Sequence, residues 1–302
     1  MANSTLPYRG RFAPSPTGPL HLGSLFTALA SFLQARSLNG KWLVRIDDLD
    51  PLRCKAHFSK QILTTLENYG LHWDEGVVHQ SKRSSAYQNA LEILSRQNLT
   101  YDCVCSRKQL EERYTGESRL TYDGYCLKNP ATASKASAIR IKVGQNTIQL
   151  NDLTQGAVSQ NLSDKVGDFI VLRKDKAFAY HLAVAVDDND QNISEVLRGI
   201  DLLDSTPRQV YLQQRLELKT PAYAHIPVLV DSHHAKLSKQ TFAADASEMP
   251  INATLIKLLH YLQLSPPVDL VSSPKHDILS WAIEHWQLDN LKKRTSIVVS
   301  TH

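Results

Sequence analysis

Arg11-Phe12-Ala13-Pro14-Ser15-Pro16-Thr17-Gly18-Pro19-Leu20-His21-Leu22-Gly23-Ser24 reads as the end of a short strand, a Pro/Gly turn and the start of a helix. The strand begins near Arg9. Leu22, Leu25, Phe26, Leu29, Phe32 and Leu33 then recur at helical spacing, and Gly40 follows as a stop. Trp42-Leu43-Val44-Arg45-Ile46 reads as a buried strand. Phe58, Ile62, Leu66 and Tyr69 mark the next helix, closed by Gly70. Strand and helix in alternation predict a parallel α/β sheet. A strand-to-helix turn presents free backbone N–H groups and the positive end of a helix, which makes it an anion site. Gly23 leaves room for a flat base against the backbone, and His21 can donate to a phosphate from the helix mouth.

Outward from that stretch the pattern changes. Gly, Ser, Asn and Lys are common from about 103 to 165, and the order of elements blurs. Strands are predicted again at Phe169-Ile170-Val171-Leu172, Ala183-Val184-Ala185-Val186 and Ile226-Pro227-Val228-Leu229-Val230. Ser205-Thr206-Pro207 can cap and start a helix through about Leu218. After 245 the spacing of Leu255, Leu258, Leu259, Leu262, Ile278, Leu279 and Ala282 is helical. The predicted organisation is one α/β catalytic domain in two halves, 1–102 and 166–245, around an insertion at 103–165. A helical region at 246–302 completes it. No internal repeat or low-complexity tract is present.

Composition excludes several classes. At roughly 150 residues per domain, 302 residues suit about two domains and can bury a large core without disulfides. Apolar residues at 42% and charged residues at 21% are ordinary globular values, against a disordered or fibrous chain. Met1 to Pro7 has no apolar signal core and no window approaches a membrane span, so a cytoplasmic protein with no membrane partner is expected. The net charge of +4 lies wholly between Cys103 and Lys142, with eight basic residues against four acidic ones. The rest is balanced at 26 against 26. That segment reads as a docking surface for a phosphate backbone.

A second phosphate candidate follows the 226–230 strand. In Lys236-Leu237-Ser238-Lys239-Gln240, two lysines three apart in a Ser-containing loop can clamp a polyphosphate. The two pieces, in this order, resemble the HIGH and KMSKS signatures of class I aminoacyl-tRNA synthetases. The leader Arg11 to Gly18 narrows the resemblance to the glutamyl/glutaminyl branch. Leu43 to Asp50, Tyr69 to Asp74 and Glu195 to Leu202 also look like family segments in family order. The resemblance implies a Rossmann-like parallel sheet, ATP as substrate with Mg²⁺ on its phosphates, and adenylate formation. It implies His21 and Lys239 as the catalytic pair, and His21, Gly23, Lys236 and Lys239 as the ATP site.

A glutamate ligand carries two carboxylates and one ammonium, so its site needs fixed cations and one acid. Arg11 and Arg198 suit carboxylates through a bidentate fork. Tyr180 can offer a hydroxyl, and Asp47 can take the ammonium. By resemblance, Arg11, Phe12, Ala13, Pro14, Ser15, Asp47, Tyr180 and Arg198 line the glutamate site. One departure stands out. The family pattern has Glu where this chain has Asp47, one methylene shorter, so the acid either reaches through a water or acts less directly.

Cys103-Val104-Cys105 is followed, beyond a polar loop, by Tyr122-Asp123-Gly124-Tyr125-Cys126. Three thiolates in a cytosolic protein suggest a metal before a disulfide. Zinc normally takes four ligands, and no fourth cysteine is near. The pattern resembles the zinc site of the glutamyl-Q tRNA(Asp) synthetase family, short paralogues of glutamyl-tRNA synthetases. That resemblance supplies Tyr122 as the fourth ligand of one structural Zn²⁺, with Cys103, Cys105 and Cys126.

After Gln240 only 62 residues remain, too few for the anticodon-binding domains of a full glutamyl-tRNA synthetase. The remaining residues suit a short helical stem-contact region. The resemblance therefore implies a monomer that activates L-glutamate without tRNA and transfers it to queuosine in the anticodon of tRNA(Asp). The alternatives are a truncated glutamyl-tRNA synthetase charging tRNA(Glu), a catalytically dead zinc-dependent RNA-binding paralogue, and a related nucleotidyltransferase such as a pantothenate-forming ligase.

Overall fold

Strand β1 (Arg9–Phe12) runs parallel to β2 (Lys41–Ile46), with Arg11 opposite Leu43 and Phe12 opposite Val44. Helix α1 (Leu22–Ser37) makes the crossover between them. The second crossover holds α2 (Ala56–Asn68) and leads to β3 (Val78–His79), again parallel, so the sheet order is β1-β2-β3. Helix α3 (Ser84–Arg96) follows. These positions come from a computed structural model that describes residues 7–113, 121–130, 136–236 and 245–299.

The middle of the chain changes sheet type. Strand β4 (Thr100–Cys103) leads to α4 (Arg107–Arg113) and α5 (Tyr125–Lys128), and then pairs antiparallel with β5 (Ala138–Ile141). Strands β6 (Thr147–Asp152) and β7 (Gly156–Asn161) form a hairpin that turns at residues 153–155, and the short α6 (Leu162–Lys165) follows it. Strand β8 (Phe169–Leu172) closes the β4-β5-β8 sheet.

Helix α7 (Tyr180–Asp190) comes next and corrects one expectation. Ala183 to Val186, expected as a strand, is the middle of this helix. Every residue from Leu182 to Asp188 is buried. A helix enclosed on all sides carries no amphipathic period, and four apolar residues alone do not separate helix from strand.

Strand β9 (Glu195–Gly199), helix α8 (Thr206–Arg215) and strand β10 (Ala222–Ile226) form a second parallel crossover. Helix α8 stops short of the expected Leu218. The chain before β9 is tied to β1 by the Ser194 amide donating to the Arg9 carbonyl at 2.9 Å. The expected 226–230 strand is broken at Pro227, which has no amide donor for a ladder. Its second piece, β11 (Val228–Val230), pairs with β12 (Ser296–Val298). Helices α9 (Ile251–Tyr261) and α10 (Lys275–His285) lie between them in sequence.

Strand alternation divides β2 between two cores. Trp42, Val44 and Ile46 join α1, α9 and α10 in one, and Leu43 joins α3, α7 and α8 in the other. Leu25, Leu29 and Leu33 of α1 are fully buried and contribute roughly 2 kcal/mol each. Arg45, flanked by Val44 and Ile46, is buried as well. A buried guanidinium needs anionic partners, and α7 supplies them.

Candidate active site

A cleft of about 370 Å³ opens where the β1–α1 turn meets the C-terminal end of β9. Arg11, Phe12, Ala13, Pro14 and Ser15 form one wall. His21 and Gly23 stand at the mouth of α1, Tyr180 at the start of α7, Arg198 on β9, and Lys236 at the rim. Ligands of open α/β sheets sit at such C-terminal strand ends.

Arg198 is held rigidly. Its Nε donates to His225 Nε2 at 3.1 Å and its Nη2 to Thr206 Oγ1 at 2.8 Å. His225 is anchored in turn by Asp152, with Nδ1 and Oδ2 2.6 Å apart. The Asp152 Oδ1 accepts from the amides of Thr154 and Gln155. Burial would raise the Asp152 carboxyl, but His225 and those amides pull it down to about 2. Burial, with Arg198 close by, lowers the His225 imidazole below its usual value. Arg198 Nη1 is buried at the cleft and has no hydrogen-bond partner. A buried guanidinium nitrogen without an acceptor fits a carboxylate arriving from the cleft.

Arg11 is fixed from beneath. Its Nε and Nη2 donate to the two oxygens of Asp188 at 3.2 and 3.3 Å. Asp188 also accepts from Arg45 Nη1 at 2.6 Å, and Arg45 Nε donates to Asp47 at 2.8 Å. Asp188, although buried, is held below the usual carboxylate range by Arg11 and Arg45. Asp47 is different: burial pushes its carboxyl up to about 6 against the pull of Arg45. Asp47 does not line the cleft. Its carboxylate is linked to the site through the chain Asp47–Arg45–Asp188–Arg11, and its backbone amide donates to the Pro14 carbonyl on the cleft wall at 3.0 Å.

At the phosphate end, His21 is the N-cap of α1. Its Nδ1 accepts from the Ser24 amide at 3.3 Å, and its Nε2 lies 3.0 Å from Ser24 Oγ. No acidic residue occupies the first turn of α1, so the helix end stays positive. Lys236 Nζ pairs with Asp201 at 2.5 Å. Lys239 lies outside the described residues. The two ends of its loop are placed: Lys236 bridges to Val230, and Asp245 bridges to His21. The Ala246 amide donates to the Leu20 carbonyl at 2.8 Å. Asp245 and Ala246 therefore sit at the histidine mouth.

The cysteine segment gathers as its spacing suggests. Cys103, Cys105 and Cys126 offer ligand atoms within 4.8 Å of one another. Cys105 and Cys126 Sγ are 3.3 Å apart, and Tyr122 Oη lies 3.6 Å from Cys103 Sγ and 3.8 Å from Cys105 Sγ. Four donors around zinc with bonds of about 2.3 Å have edges of about 3.8 Å, so the set fits that ion. The Tyr122 oxygen accepts from the Cys126 amide at 2.9 Å, which aims it inward. Burial keeps the Tyr122 phenol neutral well above its ordinary range, so only a cation would draw the proton off. Tyr122 also bridges to Gly167, where φ is +67° and a Cβ would meet the Tyr122 carbonyl oxygen at 2.4 Å. Only glycine fits there.

The basic excess of this segment is partly internal. Arg113 pairs with Asp123 at 2.7 Å and donates from Nη2 to Cys105 Sγ at 3.2 Å. The Arg140 guanidinium lies 3.6 Å from the centre of the Tyr122 ring. Two of the eight cations therefore serve the cluster. Arg119 and Lys135 lie outside the described residues.

Several site residues escape the sequence reading: Arg45, Asp188, His225, Asp152 and Thr206. The strand alternation in Leu43-Val44-Arg45-Ile46-Asp47 is a legible sign of buried charge on one face. Nothing local links Asp152 to His225, 73 residues apart.

Comparison with known proteins identifies the family of this fold. The family described as tRNA synthetases class I (E and Q), catalytic domain, matches residues 8–253. A glutamyl-Q tRNA(Asp) synthetase of Methylococcus capsulatus is 46% identical over 286 residues, covering 94% of this chain and 93% of that protein. One from Thiobacillus denitrificans is 47% identical over 283 residues, covering 93% and 94%. The glutamate–tRNA synthetase structure from Elizabethkingia anophelis superposes with a TM-score of 0.79 at 25% identity, covering 98% of this chain and 68% of that one. A glutamate tRNA ligase of Elizabethkingia meningosepticum, solved with its amino acid, shares the fold at a TM-score of 0.77 and 24% identity. It is covered to 66% of its length by 96% of this chain.

Proposed function

The chain belongs to the glutamyl-Q tRNA(Asp) synthetases, in the glutamate and glutamine branch of the class I tRNA synthetases, and on that premise we propose that it activates L-glutamate with ATP and passes it to queuosine in the anticodon of tRNA(Asp). In the first step a glutamate carboxylate oxygen attacks the α-phosphorus of ATP, the bond to pyrophosphate breaks, and glutamyl-adenylate forms. No protein nucleophile takes part. Catalysis is positioning plus stabilisation of phosphate charge. Arg198 and Arg11 hold substrate carboxylate, and Tyr180 adds its hydroxyl. His21, Gly23, Lys236 and Lys239 hold the phosphates with Mg²⁺. Asp47 acts indirectly, by fixing Arg45 and through it the Asp188–Arg11 pair. In the second step a hydroxyl of the queuosine cyclopentenediol attacks the acyl carbon, and AMP leaves.

The observation that carries the first step is the buried, unpartnered Nη1 of Arg198 on the cleft wall. A cleft made for a neutral ligand would leave that cation unbalanced. The acceptor assignment draws on the relatives' names alone. Residues 103–165 act as the insertion and 246–302 as the stem-contact region. Cys103, Cys105, Cys126 and Tyr122 would hold one Zn²⁺, whose contribution is to pin the insertion rather than to react.

The test is ATP–pyrophosphate exchange with glutamate, aspartate and glutamine, each without RNA. Exchange with glutamate is expected, and its absence overturns the reading. Transfer of labelled glutamate is then compared on tRNA(Asp) with and without queuosine. Transfer to the 3′ end of tRNA(Glu) instead would replace the acceptor.

A further inference from the structure

We propose that Asp152 and His225 are positioning residues for the amino-acid substrate, setting the direction in which Arg198 presents its free nitrogen. The proposal rests on the glutamate reading above and extends it by two residues that never touch substrate.

The argument is one of proton placement. Arg198 Nε is always a donor, and it points at His225 Nε2 from 3.1 Å. That nitrogen must therefore be an acceptor, so the ring proton sits on Nδ1. Asp152 Oδ2, 2.6 Å from Nδ1, enforces this tautomer. Asp152 cannot turn away, because its other oxygen accepts from Thr154 N, Thr154 Oγ1 and Gln155 N at 3.0, 2.8 and 2.9 Å. On the far side Thr206 Oγ1 takes Arg198 Nη2 at 2.8 Å. With Nε and Nη2 both satisfied by the protein, Nη1 alone is left for a ligand. The acid, imidazole and hydroxyl are all fully or almost fully buried, so solvent does not replace any of them. The same logic orients metal-ligating histidines through an outer carboxylate; here the oriented group is a guanidinium.

Asp152→Asn tests it with almost no change of shape. The asparagine Oδ1 still accepts from the 154–155 turn, while its amide now donates to His225 Nδ1. The ring proton moves to Nε2 and faces the Arg198 Nε–H, donor against donor. The expected result is a glutamate KM raised about 10- to 100-fold in pyrophosphate exchange, the loss expected for one hydrogen bond to a charged group. The ATP KM and the rate at saturating glutamate should stay within about threefold. A glutamate KM equal to wild type overturns the proposal, as does an equal rise in both KM values. His225→Gln and His225→Leu give an independent comparison. The glutamine Oε1 can still accept from Arg198, so it should keep most of the low KM that leucine loses; equal values for the two overturn the proposal. Ring ¹⁵N shifts of His225 supply a readout without substrate: wild type should carry the proton on Nδ1 and Asp152→Asn on Nε2. A wild-type ring protonated on Nε2 sinks the proposal whatever the amino acid is. Failure of wild-type exchange with glutamate would instead sink the substrate reading.

Discussion

The cleft and the cysteine cluster both set arginines beside buried acidic groups, but they differ in how far the chain itself pairs those groups. Arg11 and Arg45 share Asp188, Arg45 also holds Asp47, and Arg198 rests on a histidine that Asp152 fixes. In the cluster, three thiols and a phenol crowd to 3.3–3.8 Å, and Arg113 and Arg140 stand behind them. Thiols become ligands only by losing protons, and a cation would complete this arrangement. The contrast separates two ways of making a site. The cleft is pre-organised for an anion at the expense of buried ion pairs. With the proposed Zn²⁺ in place, the cluster would be a fastening whose strength comes from the metal.

The largest effect should fall at the phosphate end of the site. Lys239→Ala is expected to lower glutamate-dependent pyrophosphate exchange by about 10²- to 10³-fold, typical of removing one charge-stabilising donor. The thermal midpoint should hardly change, since Lys236 and Asp245 fix both ends of that loop without it. An unchanged exchange rate would remove the lysine loop from the mechanism. Arg198→Lys should come next, raising the glutamate KM about 100-fold because an ammonium cannot bridge His225, Thr206 and a ligand at once. A KM rise shared equally by ATP would show that the cleft is merely loosened.

Metal removal sharpens the other side of the comparison. A zinc chelator should expose the chain between Cys103 and Lys128 to protease while exchange without RNA stays within about tenfold of its starting value. Simultaneous loss of both would mean that cleft and cluster unfold as one unit. Tyr122→Phe then asks how much of the metal affinity the phenolate carries. Full occupancy in that variant excludes Tyr122 as a needed ligand.

These expectations divide along the same line that separated legible from hidden residues. The Arg11–Ser24 stretch was readable because a strand, a Pro/Gly turn and a helix start are local backbone chemistry. The gathering of the three cysteines was readable from their spacing, whereas Tyr122 entered through the family resemblance alone. Helix α7 was misread because complete burial erased its period. Arg45 with Asp188, and Asp152 with His225, were invisible because each pair joins positions more than 70 residues apart and has meaning only once the sheet is assembled. Arg113 and Arg140 were legible as charge but not as inward-facing charge. That is why the basic excess at 103–142 read as a docking surface alone.

The smallest effect, and the one that probes the balance within the cleft, is on stability against pH. Asp152 and Asp47 are both buried carboxyls, yet they shift in opposite directions. Asp152 is pulled down to about 2 by His225 and backbone amides despite its burial. Its folded value lies below the unfolded one, so its contribution is present above about pH 4 and is lost as pH falls toward 2. Asp47 is pushed up to about 6 by burial. Its folded value lies above the unfolded one, so its contribution is present below about pH 4 and is lost as pH rises through 6. Each swing is on the order of 2 kcal/mol. Urea midpoints measured from pH 2 to 8 should therefore flatten on the acid limb in Asp152→Asn and between pH 4 and 6 in Asp47→Asn. If Asp47→Asn flattened the acid limb instead, Arg45 would outweigh burial at Asp47. The whole Asp47–Arg45–Asp188–Arg11 chain would then be a fully ionised network at neutral pH, held by its pairs in the manner of Asp188 alone.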